Sequence, residues 1–110
     1  MAVRAEAVVL NVGDTRRAAA FWTQALGYEP DPDQPDFLVP PDRDGVRVHL
    51  DETDRTHLDL RVDLATSDLA SEVERLVALG ARRVEWTYPD DADFVVLADT
   101  EGNLFCVIAS

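Results

Sequence analysis

The sequence contains no lysine: all ten of its basic residues are arginine. That absence excludes Schiff-base catalysis and the lysine of a phosphate-binding loop. Positive charge of any kind is scarce, ten residues against 22 Asp and Glu, and the formal net charge of −12 repels phosphate backbones and anionic lipid. Nucleic acid and membranes are therefore not expected partners. Cysteine is nearly absent, and Cys106, standing alone, cannot form an intramolecular disulfide. The opening MAVRAEAVVLNV lacks the features of a signal peptide, and no apolar run approaches the roughly 18 residues needed to span a bilayer. A cytoplasmic protein is the expectation. There is also no G-x-S-x-G, no G-x-G-x-x-G, no phosphate-binding loop and no basic-aromatic run for single-stranded nucleic acid.

What is present suits one globular domain: 110 residues, 46% of them hydrophobic. Ala7 to Val12, AVVLNV, reads as a strand with Val8, Leu10 and Val12 on one face. Asp14 then suits an N-cap for TRRAAAFWTQAL, which stops at Gly27. The same order returns at HLDLRVD (His57 to Asp63), followed by SDLASEVERLVAL with Leu69, Val73, Leu76 and Val77 on one stripe and Gly80 at its end. Short β-rich runs follow each helix, DFLVPPDRDGVRVHLDE in the first half and RRVEWTYPDDADFVVLADTEGNLFCVIAS in the second. The acidic, proline-bearing EPDPDQPD (Glu29 to Asp36) reads as a solvated loop where the first half needs its second strand. Two β-α-β-β-β modules result: module one at about 3–51, a linker at 52–56 and module two at 57–110, in a single α+β domain with mostly antiparallel sheet.

Superimposing the halves on their own landmarks pairs Ala7 with His57, each three residues before a matched leucine, and His49 with Cys106, each four after a matched glycine. Both histidines and the cysteine thus fall on pseudo-equivalent positions. Strand alternation puts His57, Asp59 and Arg61 on one face, where Asp59 can orient the imidazole as a base or pair with Arg61. His49 alternates in the same way with Arg47 and Asp51. Cys106, within LFCVIA, reads either as a small buried hydrophobe or as a metal-binding thiolate. Trp86 and Tyr88, placed on middle strands of module two, would form a stacking wall for a planar guest beside the carboxylates of YPDDAD. Phe21 and Trp22 on the first helix read as core.

In VVLNVGDTRRAAAFWTQALGY, HLDLRVD and the closing LADTEGNLFCVI the chain resembles the vicinal-oxygen-chelate superfamily, which includes glyoxalase I, the bleomycin-resistance proteins and the extradiol dioxygenases. The resemblance covers nearly the whole chain and is nearest to short bacterial glyoxalase-like members. It implies a curved sheet around a concave cleft, helices on the outer face, and a homodimer, swapped or unswapped through the linker. It also implies up to four metal ligands, at positions that map to Ala7, His49, His57 and Cys106. Relatives that bind metal place His, Gln or Glu at the first and Glu at the last, so Ala7 removes one ligand and Cys106 replaces a carboxylate. The expectation is accordingly a protein that binds a small, drug-like or cationic organic ligand without a metal, through His49, His57, Asp59, Arg61, Trp86, Tyr88 and Cys106. One alternative is a lyase, isomerase or dioxygenase holding zinc, iron or nickel on His49, His57 and Cys106. Another is a metal-free isomerase or hydrolase that uses His57 and Asp59 catalytically.

Overall fold

The structure, a computed structural model, describes residues 3–42, 44–52 and 55–109. Its elements run β1 (Val3–Asn11), α1 (Thr15–Leu26), β2 (Glu29–Pro30), β3 (Phe37–Val39), β4 (Arg47–Asp51), β5 (His57–Val62), α2 (Leu69–Leu79), β6 (Arg82–Arg83), β7 (Phe94–Ala98) and β8 (Leu104–Ile108). The fold is α+β, and the β-α-β-β-β order occurs twice. The chain divides into two compact units, one from the described residues of 6–56 and one from residues 3–5 with 57–109. Residues 53 and 54 of the expected linker lie outside the described residues.

In module one the strand order is β2-β3-β4-β1, with β1 and β4 parallel and the other pairs antiparallel. Helix α1 starts where Asp14 accepts a hydrogen bond from the Arg17 amide at 3.0 Å and ends at Gly27, whose φ of 71° suits a residue without a Cβ. The expected bounds of this helix hold. Its inward stripe, Ala18, Ala19 and Trp22, packs with Leu10, Val12 and Tyr28 against buried Leu38, Val48 and Leu50. Phe21 departs from the sequence expectation: it is 62% exposed, because it lies about 100° around the helix from Trp22 and the three inward residues already cover the strands. The second strand of this module is only Glu29–Pro30, and the acidic stretch after it is loop.

In module two the order is β5-β8-β7-β6, with β5 and β8 parallel. Asp68 caps α2 through the Ser71 amide at 2.8 Å, and Leu69, Val73, Leu76 and Val77 form its inner face as the periodicity indicates. They close on buried Val62, Leu97 and Val107. Strands β7 and β8 are joined by a turn organised around Asp99, whose carboxylate accepts from Asn103 Nδ2 at 3.0 Å and from the Asn103 and Glu101 amides at 2.9 and 2.8 Å. These bonds, the Asn103 side chain foremost, hold the Asp99 carboxyl below the usual carboxylate range. The turn fixes the register that sets Val96 opposite Cys106.

Among the described residues one charged side chain is buried outright. Glu72, 5% exposed on α2, accepts from the Ser67 hydroxyl at 2.9 Å and from Arg75 Nε at 3.1 Å. Such a carboxylate is tolerable only while its donors remain in place. Because Arg75 can swing into water when its partner is removed, Glu72→Ala is expected to cost about 1–2 kcal/mol of stability. Urea unfolding checks this, and an unchanged midpoint would show that the network adds nothing.

Candidate functional site

The site begins with β5. Its alternation packs Val62 against α2, puts Leu60 on the same face, and leaves His57, Asp59 and Arg61 on the opposite one. The parallel ladder sets Asp59 beside Cys106 and Arg61 beside Ile108, and the antiparallel ladder then sets Cys106 beside Val96 and Ile108 beside Phe94. A polar row, His57, Asp59 and Arg61, therefore borders an apolar strip of Val96, Ile108 and Phe94. Tyr88 closes the strip: its ring meets Phe94 edge-on at 5.4 Å, and its hydroxyl accepts the Val96 amide proton at 2.8 Å.

His57 Nε2 lies 3.4 Å from Asp59 Oδ1, and the two side chains are mostly covered, at 20% and 13% exposure. Across the ladder, the Cys106 thiol donates toward Asp59. Burial first, then the Asp59 charge and this hydrogen bond, push the Cys106 thiol up to about 12. A ring nitrogen of His57, a carboxylate oxygen of Asp59 and Sγ of Cys106 all lie within 4.8 Å of one another.

Module one carries the same register with different chemistry. Val9 stands opposite His49 as Asp59 stands opposite Cys106, and Phe37 faces His49 as Val96 faces Cys106. The alignment of the halves thus holds at the level of strand pairing. Here the imidazole stacks on Phe37 at 3.9 Å and 10°, while the Arg47 guanidinium carbon lies 4.3 Å from the same ring and Arg47 Nη1 meets Glu6 at 3.4 Å. Ala7 and Val9, 1% and 2% exposed, complete an apolar face. A depression of about 270 Å³ in this module, lined by Gly27, Glu29, Pro30, Asp31, Val39 and Pro40 among others, contains none of the sequence candidates.

The candidates therefore divide. His57, Asp59 and Cys106 converge in module two, with Arg61 next along the same row, and His49 stacks on Phe37 in module one. Trp86 and Tyr88 are not on a strand: β6 stops at Arg83, and Trp86 is 46% exposed in the segment before β7. Tyr88 reaches the strip through Phe94, while Trp86 makes no ring contact among the described residues. The sequence reading missed the apolar strip of Val96 and Ile108 and two cross-strand neighbours. Phe37 as a neighbour of His49 was findable only through the β3 to β4 register. Asp59 as a neighbour of Cys106 was findable only through the cross-strand register.

The four metal positions implied by the superfamily do not fit these residues. A buried methyl group at Ala7 offers no donor atom, and the imidazole of His49 is stacked on an aromatic ring. No step through a metal held by that set is derived.

A family model described as a glyoxalase-like domain matches residues 7–108. The chain belongs to that family, within the vicinal-oxygen-chelate superfamily. Among solved structures it is similar to one titled as an NAD-dependent benzaldehyde dehydrogenase from Legionella pneumophila, with TM-score 0.65, 14% identity, and 94% and 96% of the two chains covered. It is also similar to a methylmalonyl-CoA epimerase from Mycobacterium tuberculosis, with TM-score 0.53, 19% identity, and 98% and 87% covered. These likenesses establish the fold. No curated protein matched the chain.

Proposed function

We propose that the chain binds a small organic molecule on the module-two face, with a polar, cationic or hydrogen-bond-donating part of the guest on His57 and Asp59, a hydrogen-bond-accepting part on Arg61 and an apolar part on Ile108, Phe94 and Tyr88. The observation that carries this reading is the half-buried His57 and Asp59 pair set directly against an apolar strip, the mixture that small-molecule sites use for orientation and affinity. The net charge of −12 adds attraction for a cation, screened at physiological salt. Resemblance to the bleomycin-resistance proteins supports sequestration of a drug-like molecule, which needs complementarity of shape and charge and no metal.

The test is a titration of chelator-treated protein with aromatic cations and cationic drugs, followed by tryptophan fluorescence and calorimetry. One guest per chain is expected, bound at least about tenfold more weakly by Asp59→Asn, since a charge-assisted contact is lost. If no compound binds, or the variant binds equally well, the assignment of this face fails.

A second reading is favoured by the 3.4 Å contact between His57 and Asp59: proton abstraction by an oriented imidazole. It predicts deuterium exchange into a carbonyl substrate that His57→Ala abolishes.

A further inference from the structure

We propose that a ring nitrogen of His57, a carboxylate oxygen of Asp59 and Sγ of Cys106 form a binding site for one soft divalent cation of the zinc or cobalt kind, built wholly within module two. The inference goes beyond guest binding and does not depend on it. It also departs from the set the superfamily implies: Asp59 enters, while His49 and the Ala7 position take no part.

Three observations carry it. The donor atoms already lie within 4.8 Å of one another. An ion at about 2.0–2.3 Å from each needs them near 3.5 Å apart, a closure of about an ångström within reach of side-chain rotation. Next, the donors rest on regular structure: His57 and Asp59 are two apart on β5, and Cys106 is paired with Asp59 across the β5 to β8 ladder. Sites on strands hold their ligands better than sites on loops. Finally, one nitrogen, one oxygen and one sulfur donor suit zinc or cobalt and disfavour magnesium and calcium, which take all-oxygen shells. A chain of net charge −12 favours any cation.

Binding exchanges one proton and no electrons. As the sulfur–metal bond forms, the Cys106 S–H bond breaks and its proton passes to solvent, one per ion.

The experiment titrates the full-length, chelator-treated protein with cobalt(II) and reads the thiolate-to-cobalt charge-transfer band in the near ultraviolet and the visible d–d bands. One cobalt per chain is expected, displaced by zinc. Cys106→Ser loses the charge-transfer band, Asp59→Asn weakens binding at least about tenfold, and His49→Ala binds like the parent. Each variant is melted without metal, so that loss of fold is seen separately. The proposal is overturned if the parent shows no saturable cobalt band, if the band survives in Cys106→Ser, or if His49→Ala weakens cobalt as much as Asp59→Asn does. Because guests are titrated in chelator and cobalt without guest, failure of either reading leaves the other standing.

Discussion

Iodoacetamide is expected to modify Cys106 about fiftyfold more slowly at pH 8 in the folded, metal-free protein than in the same chain unfolded in urea. The thiol is pushed from 9.0 to about 12, chiefly by burial and then by the charge and hydrogen bonding of Asp59. About three decades of thiolate are lost at that pH, and the greater nucleophilicity of a more basic thiolate returns a little over one. Asp59→Asn removes the charge, the second of these causes, and should speed the reaction without unfolding the chain. Equal rates in folded and unfolded protein would show that Cys106 is not held protonated. The same shift enters stability. A group whose folded value is raised keeps its proton while the unfolded chain loses it, so between pH 9 and 12 the unfolded state gains relative to the folded one, and stability falls as pH rises. Cys106→Ala removes this alkaline loss, and urea midpoints across that interval measure it.

The largest effect on stability is expected at Leu97→Ala, about 3 kcal/mol. Leu97 is completely buried, on β7 between Val62, Val73 and Val107 with Leu69, Leu76 and Phe105 around it. The cost combines lost transfer free energy with a cavity that neighbours on paired strands cannot easily close. In a chain of this size it lowers the melting temperature on the order of 12 °C. Leu58, on the same face of β5 but 37% exposed, is the internal control: Leu58→Ala costs well under half as much. Comparable losses at the two leucines would mean that the core is not centred where the packing indicates.

The helices were legible in the sequence because every determinant is local. Asp14 and Asp68 cap them, the apolar stripes repeat at helical spacing, and Gly27 and Gly80 end them at positive φ. The long strands were legible by alternation, and the repeat matched equivalent positions in the two halves, while their pairing was not read from the sequence. Strands β2 and β6 were not, since two residues carry no period, and so Trp86 and Tyr88 were assigned to a strand that ends before them. The site was half legible for a related reason. Alternation shows that His57 and Asp59 share a face, but the shift in Cys106 arises first from burial and then from a neighbour 47 positions away in the chain, brought close by ladder register. Likewise the stack of His49 on Phe37 rests on the β3 to β4 register, which the sequence does not spell out.

The short strands β2 and β6 end their modules' strand orders, and what they are made of matters beyond the site. Glu29–Pro30 has one residue without an amide proton, and Arg82–Arg83 presents two exposed cations, each over a span too brief to template a longer pairing. Proline, charge and brevity are the means by which natural sheets discourage a stray strand from joining at an open margin. At both of these margins, sheet growth by a strand from another molecule is disfavoured, and the fold is protected there against fibrillar assembly.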